Sequence, residues 1–134
     1  MEKKVLKGRK KRRALSQYEQ NVLLPILLKG LKTKVGKENA VTRTQMLNML
    51  SEYKVMANRR SLERVIKYIR LNHLIYGLMA TNYGYYIAKT EEELIAYERS
   101  LRGRERALRD IRRSINIQRS VRFTDKVPKH TQMF

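Results

Sequence analysis

The stretch LIYGLMATNYGYYIA, residues 74–88, contains two runs of β-forming residues around a turn signal. The runs cover residues 74–80 and 85–88, and they flank residues 81–84, which include Asn and Gly and are typical of a hairpin connection. An isolated two-stranded hairpin is only marginally stable in water. We therefore expect this hairpin to lie against helices formed by the rest of the chain, or against a binding partner.

The first helix is predicted over residues 17–33. It is preceded by Ser16, and Glu19 stands three residues later, as in a capping box. Pro25 lies inside this stretch and is expected to kink or restart the helix. Residues 32–40 are predicted to form a loop. The apolar residues expected to face the core are Val22, Leu23, Ile26, Leu27 and Leu31.

Two more helices are predicted between this loop and the hairpin. The second covers residues 43–53, opens at a capping box of Thr42 and Gln45, and turns Met46, Met49 and Leu50 inward. The third covers residues 59–72 and is capped by Asn58. Its inward stripe, at helical spacing, consists of Leu62, Val65, Ile66 and Ile69. Its opposite face carries Arg60, Arg64 and Lys67.

After the hairpin, Thr90 and Glu93 form a third predicted capping box, and the three glutamates that follow Thr90 lie where the helix dipole favours them, which predicts a long helix over residues 90–117. Its apolar residues keep spacings of three and four, with Arg104 interrupting the stripe. They are Leu94, Tyr97, Leu101, Leu108, Ile111 and Ile115. Such a stripe packs on its own domain or pairs with a second chain. We favour packing on the domain near the start of the helix and a homodimer near its end.

The chain is strongly basic, with 31 Lys and Arg against 12 Asp and Glu, a net charge of +19. Charge of this size opposes compaction and is typical of proteins that bind a polyanion, although a generally solvated basic surface is the alternative. Residues 1–15 are predicted to be a flexible basic arm and residues 118–134 a basic irregular tail. The arm residues expected to contact phosphates without reading sequence are Lys7, Arg9, Lys10, Lys11, Arg12 and Arg13.

Several classes of protein have little support. The chain has no cysteine, and its longest apolar run, VLLPILL at residues 22–28, is too short to cross a membrane. His73 and His130 are the two histidines and lie far apart in the sequence. Motifs for a nucleophile, a phosphate-binding glycine loop or a metal cluster are missing. We expect a soluble, cytoplasmic protein without catalytic activity, metal or cofactor.

The order of elements predicts a mainly α fold with one β-hairpin. Two short helices followed by a hairpin, with the second helix basic on its outer face, are the layout of a winged helix-turn-helix. That domain is predicted over residues 16–89, between the basic arm and the C-terminal helix. In this layout the hairpin is the wing.

Four segments resemble small winged-helix proteins of bacteriophages and mobile elements. They are GKENAVTRTQML (36–47), NRRSLERVIKYIR (58–70), YGYYIAKTEEEL (83–94) and SLRGRERAL (100–108). The resemblance implies DNA binding in phage replication, recombination or regulation, in a bacterial cytoplasm or nucleoid. Two departures stand out: residues 51–57 replace a very short turn, and Glu63 stands where a basic residue is common. We favour pairing of Glu63 with Arg59 or Lys67 over a contact with cytosine.

Double-stranded DNA is the predicted partner. In the third helix, which is expected to enter the major groove, the candidate contacts are Asn58, Arg59, Arg60, Ser61, Arg64 and Lys67. Arg43, at the start of the second helix, and the wing residues Asn82, Tyr83 and Tyr85 complete the set. Two alternatives stay open: an RNA-binding or ribosome-associated small basic protein, and an adaptor whose winged helix binds protein.

Overall fold

The computed structural model describes residues 14–124, which fall into two units, one ending at Lys89 and the other beginning at Thr90. The predicted arm residues 1–13 and tail residues 125–134 lie outside the described residues. Within the described residues, the first unit contains three α-helices, a π-helical turn, a 3₁₀ turn (Lys37–Asn39) and a hairpin, and the second contains one long helix. In chain order these elements are α1 (Leu24–Leu31), α2 (Arg43–Glu52), α3 (Arg59–Leu71), β1 (Leu78–Thr81), β2 (Gly84–Ile87) and α4 (Glu91–Arg122).

A π-helical turn, Glu19–Leu23, precedes α1 and accommodates the proline. The capping box at its start is confirmed, because Ser16 N donates to Glu19 Oε1 (2.8 Å) and Glu19 N donates to Ser16 Oγ (3.1 Å). Leu24 N donates to Glu19 O, five residues back, and Pro25 then lies in the first turn of α1. A proline there costs little, because residues of the first turn need no intrahelical acceptor for their N–H groups.

The side chains that face the core from this helix differ in part from those predicted. Leu23, Leu27 and Leu31 are buried as predicted, but Ile26 is 40% exposed and Val22 is only half-buried. Within α1, Ile26 lies about 100° from Leu27 and about 140° from Leu31 around the helix axis, away from the side that the core covers. The inward stripe predicted for this helix was therefore wrong at Ile26.

The second helix, α2, follows its predicted bounds closely. Thr42 Oγ1 accepts from Gln45 N (3.1 Å) and Gln45 Oε1 accepts from Thr42 N (2.8 Å), which confirms the capping box. The helix ends where Lys54 adopts a left-handed conformation (φ 56°) and Val55 N donates to Leu50 O (2.8 Å). This is a Schellman ending, and it uses the first part of residues 51–57 to redirect the chain. Met49, which was expected to face inward, is 49% exposed.

The third helix confirms its predicted stripe, since Leu62, Val65, Ile66 and Ile69 are each at most 2% exposed. It ends in a second Schellman motif, in which His73 is left-handed (φ 56°) and Leu74 N donates to Ile69 O (3.0 Å). Residues 74–77 therefore belong to this helix ending and the connection after it. The strand predicted from residue 74 begins only at residue 78.

The hairpin pairs β1 with β2 in antiparallel register, from Leu78 opposite Ile87 to Thr81 opposite Gly84. It is held by the segment between α1 and α2. Val41 and Tyr85 exchange two backbone hydrogen bonds (3.0 and 2.8 Å), and Val35 forms a parallel bridge to Ile87. The hairpin is thus anchored by a third extended segment as well as by side-chain packing.

The core of the first unit collects side chains from all three helices, the hairpin and its connections. Its buried members include Leu23, Leu62 and Ile69 from helical segments and Leu78 from β1. Leu15, assigned by sequence to the flexible arm, packs against this core. The folded part therefore begins earlier than predicted.

The second unit is the helix α4. Thr90 Oγ1 accepts from Glu93 N (3.2 Å), as expected of a cap, and none of its described residues is buried. The helix continues to Arg122, so the prediction that residues 118–122 are irregular was wrong. Arg119 and Arg122 lie in the last turn, where positive charge interacts favourably with the helix dipole. Within residues 14–124, α4 and the other helices lack the length of apolar sequence needed to cross a membrane.

Candidate nucleic-acid interface

The outer face of α3, defined here by Arg60, Arg64 and Lys67, lies opposite the buried stripe of the helix. Arg60 and Lys67 are exposed, as predicted. The buried stripe holds the helix by one side only.

Arg64 departs from the expectation of a freely projecting side chain. Its Nη1 donates to Glu19 Oε2 (2.6 Å), and the side chains of Arg64 and Glu19 are 34% and 4% exposed. The second carboxylate oxygen of Glu19 already accepts from Ser16 N. A buried carboxylate requires charged or hydrogen-bonding partners, and Arg64 supplies one from the neighbouring helix. The predicted base-reading role of Arg64 therefore competes with a contact inside the fold.

Glu63 is the centre of a second charged cluster. Its Oε1 accepts from Arg59 Nε (3.3 Å), one turn earlier on α3, and from Arg43 Nη1 at the start of α2. The hydrogen bond from Arg59, followed by that from Arg43, holds the pKa of Glu63 below its usual value despite partial burial. The predicted pairing with Arg59 is confirmed, while the pairing with Arg43 was missed.

The two polar residues at the start of α3 form its cap. Asn58 Oδ1 accepts from Ser61 N (2.8 Å), and Ser61 Oγ accepts from Asn58 N (2.9 Å). Ser61 Oγ also donates to Asn58 O (3.0 Å). Both side chains stabilise the backbone at the helix start and leave the basic residues beside them as the stronger candidates for ligand contact.

At the tip of the hairpin, Asn82 and Tyr83 are exposed. Thr81 Oγ1 shapes the turn by donating to Gly84 O (2.9 Å) and accepting from Tyr83 N (3.1 Å). Lys37 Nζ lies 3.8 Å from the centroid of the Tyr83 ring, a cation–π contact that brings a positive charge to the tip of the hairpin. Sequence reasoning missed Lys37, because no local spacing links it to the hairpin.

Tyr85, the third predicted wing contact, has a different environment. Its side chain is half-buried and packs against the core, while its backbone pairs with Val41. The difference follows from position, because Tyr83 lies in the turn whereas Tyr85 lies in β2 between Ala80 and Val41. The structure therefore removes Tyr85 from the exposed tip of the wing.

The remaining predicted contacts, Lys7, Arg9, Lys10, Lys11, Arg12 and Arg13, lie outside the described residues. Among residues 14–124, acidic and histidine side chains do not form a group able to hold a metal ion. Comparison of the chain with protein-family models, curated proteins and solved structures found no match.

Proposed function

We propose that residues 16–89 form a winged helix-turn-helix domain that binds double-stranded DNA. Helix α3 enters the major groove and the hairpin contacts the backbone beside it. The proposal depends chiefly on the exposed basic residues Arg60 and Lys67. They lie on a helix whose other side is fully buried and whose start is firmly capped.

The order of elements supports the proposal. The chain runs through α1, the extended segment at Val41, α2, α3 and then the hairpin. The pairing of Val41 with Tyr85 adds one antiparallel bridge from the segment before α2 to the two-stranded hairpin, at the place where a winged helix-turn-helix has its first strand. Helix, strand, helix, helix and two strands is the sequence of elements that defines a winged helix-turn-helix.

The basic residues of this face have different roles in the proposal. Arg60 is the best placed to reach a base edge, since an arginine contacts guanine with two hydrogen bonds. Lys67 contacts phosphate. Arg59 and Arg43 both pair with Glu63, and its negative charge partly offsets their attraction for phosphate. Arg64 acts by joining α3 to the π-helical turn at Glu19.

The wing contributes through its tip. Asn82 and Tyr83 are exposed there, and the ammonium group of Lys37 lies over the Tyr83 ring. A positive charge beside a polar turn suits a phosphate contact. This contact positions the protein on the duplex and carries no sequence information by itself.

Two matched pairs of substitutions test the proposal. Duplexes selected from a random pool provide the ligand, and fluorescence anisotropy measures binding. Arg60→Ala with Lys67→Ala is expected to weaken binding by more than about tenfold, because a base contact and a phosphate contact are lost. Lys29→Ala with Lys32→Ala removes the same charge from exposed positions at α1 and the residue after it, and we expect a smaller loss. Equal losses of DNA affinity in the two double variants would contradict base recognition by α3.

The same measurement separates DNA from RNA. A helix that fits the major groove of B-form DNA cannot read the narrow major groove of an RNA duplex. We expect a matched RNA duplex to bind more weakly than DNA at every salt concentration. Tighter binding to RNA would favour an RNA-binding or ribosome-associated protein instead.

A protein-binding adaptor is the second candidate, and an apolar groove of the first unit favours it. The groove has a volume of about 350 Å³ and lies between α1 and α2. Its rim includes the exposed side chains of Ile26, Met49 and Tyr53. Recovery of one protein partner after nuclease treatment, with loss on Met49→Glu, would support the adaptor over the DNA-binding protein.

The biological setting follows from the resemblance to phage and mobile-element proteins. We propose a regulator or a replication accessory factor in the cytoplasm or nucleoid of a bacterial host, acting by binding and not by catalysis. Selection from the random duplex pool distinguishes these roles. A defined motif favours a regulator or origin-binding protein, whereas the lack of a motif favours an accessory role.

A further inference from the structure

Helix α4 carries an apolar stripe with a seven-residue repeat, half-buried at Leu94 and Tyr97 and exposed from Leu101 onward. Taking Leu94 as heptad position a, the a positions that follow are Leu101, Leu108, Ile115 and Arg122, while Arg104 and Gln118 stand at two of the d positions. Tyr97 and Ile111 occupy d positions. Leu108, Ile111 and Ile115 are 67%, 61% and 55% exposed. A repeat of this kind along one helix is the pattern of a coiled coil.

The charges beside this stripe change sign along the helix. The e positions are Glu98 and Glu105 in the first half and Arg112 and Arg119 in the second half. The structure shows none of these four side chains in an ion pair within residues 14–124. The g positions on the other flank are uncharged through the middle of the helix, being Ser100, Ala107 and Ser114.

We propose that two copies of the chain pair through α4 as an antiparallel coiled coil. In antiparallel pairs e positions face e positions, so the acidic half of one helix meets the basic half of the other. With the centre between Arg109 and Asp110, Glu98 lies within two residues, about 3 Å of helix rise, of the point opposite Arg119 of the second copy. Glu105 lies at the same offset from Arg112 of the second copy. In the same register Leu108 packs against Ile111 of the second copy.

The parallel arrangement is disfavoured by the same residues. Parallel pairs bring equal positions together, so Arg104, a d residue, would face Arg104 of the second copy inside the seam. Parallel pairs also bring g positions of one helix beside e positions of the other. Glu93 would then face Glu98 of the second copy, and the two negative charges would repel. In the antiparallel register Arg104 lies beside Ile115, and its aliphatic part packs there while the charge reaches water.

The mass of the full chain in solution is the first test. In nuclease-treated protein, sedimentation is expected to give about twice the 16.0 kDa of one chain. Leu108→Glu is expected to give a monomer. Ile117→Glu is the matched control, because Ile117 is also 67% exposed but lies off the seam, and we expect it to stay dimeric. A monomeric parent protein would overturn the proposal.

Orientation is tested with cysteines, which the chain otherwise lacks. One preparation carries Arg104→Cys and another carries Ile115→Cys with a size tag. On mixing and oxidation, the antiparallel pair is expected to give the mixed disulfide, and each variant alone is expected to give almost none. Disulfides within each single variant, without the mixed product, would establish a parallel pair and refute the orientation.

The charge pattern has its own test. Glu98→Arg with Glu105→Arg is expected to raise the dimer dissociation constant at least about tenfold, because four exposed ion pairs become repulsive together. Adding Arg112→Glu and Arg119→Glu restores complementarity and is expected to recover dimer formation. Failure of the fourfold variant to recover, with helicity unchanged by circular dichroism, would exclude the proposed register. These measurements need no DNA, so their outcome is independent of the proposed DNA binding.

Discussion

At the residue scale, Glu19 shows how one buried carboxylate organises its surroundings. Its side chain is 4% exposed and accepts hydrogen bonds from Ser16 N and Arg64 Nη1. The first bond caps a helix and the second joins that helix to α3. Arg64, which lies on the outer face of α3, therefore stabilises the fold.

Arg64→Ala is expected to lower the free energy of unfolding by about 1–3 kcal/mol, because Glu19 would lose its charged partner while staying buried. Urea denaturation measures the change. Arg60→Ala, on the same face, is the control and is expected to stay within about 0.5 kcal/mol. If Arg64→Ala were as stable as the control but lost sequence preference on DNA, a base contact by Arg64 would be established instead.

Glu63 predicts a dependence of stability on pH. Its pKa is lowered in the folded chain, chiefly by the hydrogen bond from Arg59, relative to the ordinary value of 4.5. The stabilisation is therefore complete above that value and is lost as the pH falls through the lowered pKa. Because the side chain is 41% exposed, the contribution is small, about 0.2–1 kcal/mol.

The parent protein is expected to lose stability when the pH is lowered from about 7 to about 2, because Glu63 becomes protonated. In Glu63→Gln this loss in the free energy of unfolding is expected to be smaller by about 0.2–1 kcal/mol. Urea denaturation at both pH values provides the comparison with the parent protein. Glu52→Gln is the control, because Glu52 is exposed and the structure shows it in no ion pair within residues 14–124. An unchanged pH dependence in Glu63→Gln would show that the cluster with Arg59 and Arg43 does not stabilise the fold.

At the scale of the elements, the hairpin depends on a close approach at Gly84. This residue has φ +115°, and a Cβ atom built there lies 2.5 Å from Val41 O. Side chains other than glycine rarely adopt this conformation. The contact is with backbone, which cannot turn aside without breaking the pairing between Val41 and Tyr85.

Gly84→Ala is expected to destabilise the first unit by more than about 1–2 kcal/mol, measured by thermal denaturation. The control is Gly30→Ala, which lies in α1 with open space around the added atom. It is expected to raise stability by about 0.5–1 kcal/mol, since alanine favours a helix over glycine. Equal stability of both variants would mean that the hairpin is not held through Val41.

At the scale of the whole molecule, charge controls the proposed DNA affinity. Residues 1–13 contain eight Lys and Arg and one Glu. With roughly 6–10 phosphate contacts, affinity for duplex DNA is expected to fall about 10³–10⁵-fold between about 50 and 200 mM salt. Residues 1–13 and the basic face of α3 both contribute to this dependence of affinity on salt concentration. Residues 1–13 contribute contacts to phosphate only, whereas the face of α3 also includes the proposed base contact.

Deletion of residues 1–13 is expected to flatten the salt dependence while leaving the preferred sequence unchanged, because contacts to phosphate carry no base information. Anisotropy titrations over a range of salt concentrations measure the slope. Arg60→Ala is the comparison and is expected to change the preferred sequence with little change in slope. Loss of sequence preference on deletion would assign base reading to the arm.

The local features of this chain were predictable from sequence. The capping boxes at Ser16 and Thr42, the cap at Asn58 and the stripe of α3 involve residues three or four apart, whose proximity is determined by the helix backbone alone. The reciprocal bond from Asn58 N to Ser61 was not predicted. The turn between β1 and β2 was predicted for the same reason. The Schellman endings were missed because Lys54 and His73 stand where glycine usually marks them.

The tertiary structure alone decided the long-range partners. Arg64 with Glu19, Lys37 with Tyr83, and Val41 with Tyr85 join residues more than forty positions apart, and each changed the predicted use of a side chain or a strand. Periodicity shows which face of a helix is polar, but it does not show which polar group is close enough to pair. That depends on how the helices pack, since buried charges and unpaired backbone groups accept whichever partner the packing brings within hydrogen-bonding distance.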